Sequence, residues 1–208
     1  MCCLWAHAED FLVKAGDIIE INGVKAIVFQ TNDEGNHGKA MSVKAFRGID
    51  SPWCKSSKYA KDLYGTSNTE DGRQNTDAVL EYARSRGLLP CFPVFEWCSK
   101  LGNEWYIPSL KELEGFINFW LGNEEVLNWD EDEEIEMDNN KPFFKIINEK
   151  MLEAGGIPFI NGVYTSTVNE EGKVYVFYYN RIKNTWALKQ KSRNGLGREC
   201  VGRAFIKF

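Results

Sequence analysis

The chain has 208 residues, long enough for one domain of ordinary size. A hydrophobic content of 43% and an aromatic content of 13% supply a packed core and exclude a wholly disordered chain. Thirty acids against 25 bases give a net charge of −5 and exclude nucleic-acid binding by bulk charge, while two histidines leave no room for a multi-histidine metal site.

In chain order, Ala6-His7-Ala8 fits the small-x-small pattern of a signal-peptidase site behind a short apolar stretch. Residues 1–8 are therefore expected to be the remnant of a leader and residues 9–208 a single domain. No apolar run approaches the roughly 20 residues of a membrane helix, so no membrane insertion of that domain is expected. Ile18 to Ile21, Asn22-Gly23 and Val24 to Gln30 read as a hairpin, since Asn-Gly supplies the positive φ of a two-residue turn. A loop around His37-Gly38 precedes a third strand near Lys39 to Val43. Gly48 to Asn75 is polar and irregular, anchored by Trp53 and Tyr59.

Three helices are predicted next: Thr76 to Arg86, capped by Thr76 or Asp77; Pro93 to Leu101, with proline in its first turn; and Ser109 to Leu121. The last carries a capping box, Ser109 with Glu112, and a stop at Gly122. Leu110, Leu113, Phe116, Ile117, Trp120 and Leu121 share one face and predict core. A fourth helix spans about Pro142 to Ala154. Val163 to Val168 and Val174 to Tyr179 predict a second hairpin, followed by strands at Thr185 to Gln190 and Val201 to Phe208. Strands, then helices, then strands predict an α+β, loop-rich fold in which one antiparallel sheet unites both ends of the chain.

Without the leader, Cys54, Cys91, Cys98 and Cys200 remain, which allows three pairings into two disulfides. Cys91 and Cys98 are separated by about 10 Å of helix, beyond the reach of a bridge. At least two of the four are expected to be buried free thiols. The absence of C-x-x-C after the leader removes zinc-ribbon and thioredoxin chemistry.

Several residues together resemble a bacterial domain family of unknown function related to the C-terminal domain of the Legionella collagen-like adhesin. They are Gly16-Asp17, His37-Gly38, Asp71-Gly72 with Asn75-Thr76, and Trp97-Cys98. Trp105-Tyr106-Ile107-Pro108-Ser109 with Glu112-Leu113 is the most specific block. Tyr164-Thr165-Ser166-Thr167 and Arg203-Ala204-Phe205 complete the order, although the family usually has Trp where Tyr164 or Thr165 stands. The resemblance covers the chain from about residue 15 onward. It implies a C-type-lectin-like fold with adjacent termini, and an exported bacterial protein of the periplasm or cell surface. It further implies a domain that binds a ligand rather than transforming one.

Nine of the 30 acids lie between Asn123 and Asp138, without a base. A calcium loop starting at Asp130 would need Gly where Ile135 stands and Glu where Lys141 stands, so the run reads as a solvated acidic loop and no cofactor is expected. The C-terminal quarter has the opposite sign. Lys189, Lys191, Arg193 and Arg198, with Trp186 as the aromatic platform, are the candidate binding residues for an acidic glycan or an acidic protein surface. The bland alternative is that these cations face solvent and pair with the acidic loop. Gly195-Leu196-Gly197 lacks the strand-to-helix junction of a dinucleotide site. Ser109 and Ser166 lack G-x-S-x-G, and His37 is a lone imidazole in a loop. The enzyme alternative is a cysteine-dependent oxidase, because formylglycine-generating enzymes share the implied fold. It needs a reactive, exposed thiol at Cys91, Cys98 or Cys200.

Overall fold

The computed structural model describes residues 12–47, 52–60, 66–122, 134–136, 143–159, 161–180, 182–192 and 200–208. Strands β1 (Ile18–Ile21) and β2 (Val24–Thr31) pair antiparallel, with Ile21 opposite Val24 and Ile18 opposite Ile27. Asn22 and Gly23 between them have φ of 52° and 78°, the left-handed pair that a tight hairpin demands. Strand β3 (Gly38–Ser42) lies on the other side of β2 after a bulge between Val28 and Gln30. The connecting loop is held by Asn32, whose carboxamide oxygen accepts from the backbone N–H groups of Asn36 (3.2 Å) and His37 (3.1 Å).

The chain's last strand, β9 (Phe205–Lys207), pairs with β3. Both ends of the described chain therefore meet in one sheet, of order β1-β2-β3-β9, as the strand-helix-strand order predicts. Ala26, Val28, Ala40 and Ile206 face one core, and Ile27, Phe29, Met41 and Phe205 face another. Burial on both faces explains why β2 reads as a continuous apolar run rather than an alternation.

A second sheet contains β4 (Glu134–Glu136), β5 (Gly162–Val168), β6 (Val174–Asn180), β7 (Thr185–Lys191) and β8 (Cys200–Val201), ordered β4-β7-β6-β5-β8. The single sheet of the sequence reading is thus two, and β5 with β8 is a parallel pair. The predicted strand Val201 to Phe208 breaks at Gly202-Arg203-Ala204, where the chain leaves one sheet and enters the other. Gly202 pairs with Phe46 there, and a Cβ at that position would collide with the Val94 side chain.

The helices are α1 (Ser57–Ala60), α2 (Gly72–Ser85), α3 (Pro93–Leu101), α4 (Leu110–Leu121) and α5 (Phe143–Glu153). Helix α2 starts a turn before the expected Thr76. Its cap is Asp71, whose carboxylate accepts from the N–H groups of Arg73 (3.0 Å) and Gln74 (3.3 Å). Helix α4 has the predicted capping box at Ser109 and Glu112 and a left-handed Gly122 at its end. Its buried face packs Phe116 and Trp120 against Phe159, with ring centroids 4.8 and 5.3 Å apart. Each such contact is worth about 0.5–1.5 kcal/mol beyond the buried area.

Candidate functional site

Gly72, Asn75, Thr76, Tyr106, Ser109, Glu112 and Ser166 converge on one buried polar network, and the network is structural. Glu112 is 3% exposed and accepts from the N–H groups of Gly72 (3.0 Å) and Ser109 (3.1 Å) and from the Tyr106 hydroxyl (2.9 Å). One carboxylate therefore satisfies donors at the N-termini of both α2 and α4, where helix dipoles favour negative charge. Lys39 and Lys207 stand 3.6 and 3.7 Å from its outer oxygen. Burial, then the Glu112 charge beside it, raises the Tyr106 phenol well above its ordinary pKa.

The same hub ties in β5. Asn75 donates through its amide to the Asn68 carbonyl (2.7 Å) and the Ser166 hydroxyl (3.2 Å). Ser166 in turn donates to the Pro108 carbonyl (3.1 Å). Thr76 accepts from the Ile107 N–H at 2.9 Å. A Cβ on Gly72 would run into the Ile107 carbonyl oxygen and the Ser109 nitrogen, so glycine at that position allows α2 to dock on the Ile107-Pro108-Ser109 turn. Ser109 and Ser166 are both buried and committed to this scaffold, which leaves neither hydroxyl presented as a nucleophile.

The expected C-terminal site is placed differently from its sequence reading. Trp186 is fully buried, stacked on Phe159 (5.2 Å) and Tyr179 (5.2 Å) and edge-on to Trp120 (5.6 Å). Strand alternation points Trp186 and Leu188 into the core, so the ring is not a platform for a ligand. Lys189 and Lys191 lie on the opposite face of β7, half-buried, with the Lys191 ammonium 5.7 Å from the Tyr178 ring centroid. Arg193 and Arg198 lie outside the described residues. The acidic run lies outside them too, except for Glu134 to Glu136, which form β4 beside β7. Glu134 binds Lys183 at 2.9 Å, and that bond, helped by Lys183 and Lys189 charge, lowers its carboxyl below the usual range. Part of the basic strand is thus compensated by the acidic segment.

A different concavity has the composition of a binding site. The β1–β2 turn, the end of β3, α3 and the end of α5 enclose a cleft of about 360 Å³, within the range of small-ligand sites. Val24, Val43, Leu101 and Ala154 give it apolar walls. Trp97, half-buried and stacked on Phe46 at 5.8 Å, gives it an aromatic wall. Lys25 and Lys44 line the cleft from exposed positions, and neither makes an ion pair among the described residues. Among the described residues no carboxylate lines it.

The cleft wall is fixed from behind by Arg203. Its guanidinium, fully buried, donates to the carbonyls of Val43 (2.8 Å), Ser42 (3.3 Å), Ile157 (2.7 Å) and Pro158 (3.1 Å). Burial, and then the charge of Arg47, pushes its pKa down to about 9, which still leaves it a cation at neutral pH. Gly156 completes the contact, since a Cβ there would overlap the Val43 carbonyl. In the sequence Trp97 stood out only in the Trp97-Cys98 pair of the resemblance, with no binding role. Lys25 and Lys44 did not stand out, because only the β2–β3 pairing brings Lys25 beside Val43 and Lys44.

The four described cysteines are all free, with Cys54, Cys98 and Cys200 buried and Cys91 half-buried, in line with the expectation of buried thiols. Burial drives the Cys98 thiol far above its ordinary pKa. Among the described residues there is no group of three or more His, Cys, Asp or Glu that could hold a metal ion. No helix among them is long and apolar enough to cross a membrane.

No known family and no curated protein matches the sequence. The fold is shared with the crystal structure of a fimbrial protein from Bacteroides ovatus ATCC 8483, with a TM-score of 0.50 over 82% of this chain at 15% identity. The chain spans 36% of that protein's length. The likeness is one of fold alone, a mixed α+β architecture.

Proposed function

We propose that this chain is an exported, adhesin-like ligand-binding module whose ligand is an acidic carbohydrate received in the Trp97 cleft. The observation that carries the reading is the cleft's composition: an aromatic wall, apolar sides and two cations that have no carboxylate partner among the described residues. An indole and aliphatic walls suit the apolar face of a sugar ring, and Lys25 and Lys44 suit a uronate carboxylate. The fimbrial fold likeness supports a surface module, in the periplasm or on the cell surface; the C-type-lectin-like reading rests on the sequence resemblance and on β1 and β9 sharing one sheet. The second place for an anion is the basic end of β7, at Lys189 and Lys191. It is the weaker place, since Lys183 and Lys189 share their charge with Glu134.

Thiol chemistry has less behind it. Cys98 and Cys200 are buried, and a thiol with a raised pKa supplies little thiolate.

The test is calorimetric titration with glucuronic acid and with a polysaccharide that alternates glucuronate and a neutral sugar, with and without chelator. Binding is expected to weaken as salt rises through the range where the screening length falls below about 10 Å. It is expected to drop at least about tenfold in the Lys25→Ala/Lys44→Ala double variant, since each amine supplies a charge-assisted bond. Chelator should leave it unchanged. Binding that survives both this variant and Trp97→Ala but is lost in Lys189→Ala/Lys191→Ala would move the site to β7.

A further inference from the structure

We infer that the Trp97 cleft is one end of a two-unit groove, and that the groove selects a uronate linked to a neutral sugar over a run of uronates. The inference rests on the carbohydrate reading of the cleft. A second cleft of about 300 Å³ adjoins the first, and the two share Lys25 and Ala154 in their linings. Its remaining walls are Gly16, Asp17, Ile18, Lys150 and Glu153. A ligand lying in both clefts therefore crosses Lys25 at the seam.

The two clefts differ in charge. Among the described residues, the first is lined by two lysines and no acid. The second contains Asp17 and Glu153 alongside Lys150. Lys150 is committed, since its ammonium donates to the Gly16 carbonyl at 2.8 Å, which ties the end of α5 to the start of β1. One Asp17 oxygen is also committed, accepting from the Lys14 N–H at 2.9 Å. What the second cleft offers a ligand is carboxylate oxygen: the other Asp17 oxygen and the exposed Glu153. Carboxylates accept hydrogen bonds and cannot donate them, so they suit hydroxyl groups and repel a second uronate.

The sequence of chemistry along the groove is thus cation, cation at the seam, then acceptor. That order fits an aldobiouronic acid, a uronate joined to one neutral sugar. A homopolymer of uronates would place its second carboxylate against Asp17 and Glu153.

The experiment compares free glucuronic acid, an aldobiouronic acid and digalacturonate on the full chain by calorimetry, in wild type, Glu153→Ala and Lys44→Ala. The aldobiouronic acid is expected to bind about tenfold tighter than the free uronic acid, the factor that one good hydrogen bond to a charged acceptor supplies. Digalacturonate should gain less. Glu153→Ala should return the aldobiouronic acid toward the affinity of the monosaccharide and leave the monosaccharide unchanged, while Lys44→Ala weakens every sugar. Equal affinity for the monosaccharide and both disaccharides, or an equal gain for digalacturonate, overturns the two-unit groove and leaves the binding function standing. Absence of binding by all three sugars overturns both readings together. Glu153 is exposed at the end of its helix, so its substitution does not threaten folding.

Discussion

Replacing Glu112 tests whether one buried carboxylate welds two helices and a strand into a single frame. Glu112→Ala leaves three buried donors without an acceptor: the Gly72 and Ser109 N–H groups and the Tyr106 hydroxyl. Each orphaned buried donor costs about 1–3 kcal/mol, and partial entry of water into the vacated space holds the total near about 4 kcal/mol. Glu112→Gln is a different perturbation. Its single carbonyl oxygen can keep both N–H groups, and the Tyr106 hydroxyl can turn to accept from the amide. What is lost is the charge-assisted strength of the bonds and the attraction of Lys39 and Lys207, together about 1–2 kcal/mol. The assay is urea unfolding followed by tryptophan fluorescence, which seven tryptophans make sensitive. For a chain of this size 1 kcal/mol moves the melting temperature by about 2–4 °C, so alanine should cost about 8–16 °C and glutamine about 2–8 °C. Equal losses in the two variants, or a loss below about 1 kcal/mol for alanine, would refute the shared-acceptor reasoning, because both would mean that the donors find other partners.

Two further outcomes follow from the same frame. Gly72→Ala, ordinarily favourable inside a helix, should destabilise by at least about 2 kcal/mol, because its Cβ meets the Ile107 carbonyl and Ser109 nitrogen; a neutral or stabilising result in urea unfolding would remove the close-approach argument. Glu114 pairs with Lys111 at 2.7 Å, yet burial outweighs that pair and raises its carboxyl above the ordinary value. A raised folded pKa means the folded state holds the proton more tightly, so the group stabilises at low pH and that contribution is lost as pH rises from about 4.3 through the folded value. Glu114→Gln should therefore be at least as stable as wild type at pH 7, with its relative advantage closing below pH 4; a variant clearly less stable at pH 7 than at pH 4, relative to wild type, would show that the Lys111 pair wins.

The local elements were legible in the sequence wherever one short-range interaction decides the backbone. Asn22-Gly23 made its hairpin because few other residues accept two positive φ values in succession. Ser109, Glu112 and Gly122 bounded α4 because a capping box and a left-handed stop are complete within the helix itself. Where two distant segments compete for one residue, the local reading failed. Thr76 has the chemistry of a cap, but Ile107 claims its hydroxyl, so α2 starts a turn earlier at Asp71. Trp186 looked like an exposed platform among lysines, yet strand alternation and the Phe159 ring bury it. The closing strand broke in two because Arg203 sits between the sheets, donating to carbonyls at the end of β3 and in the loop after α5.

The same division holds for the site. Composition and residue order determined an α+β chain whose first and last strands share a sheet. Only the tertiary structure decided that Lys25, Lys44 and Trp97, from two strand ends and a helix, share one cleft. Hairpins and caps are settled by forces acting over a few residues, whereas a cleft exists only where separate elements pack, and no sequence spacing records that distance.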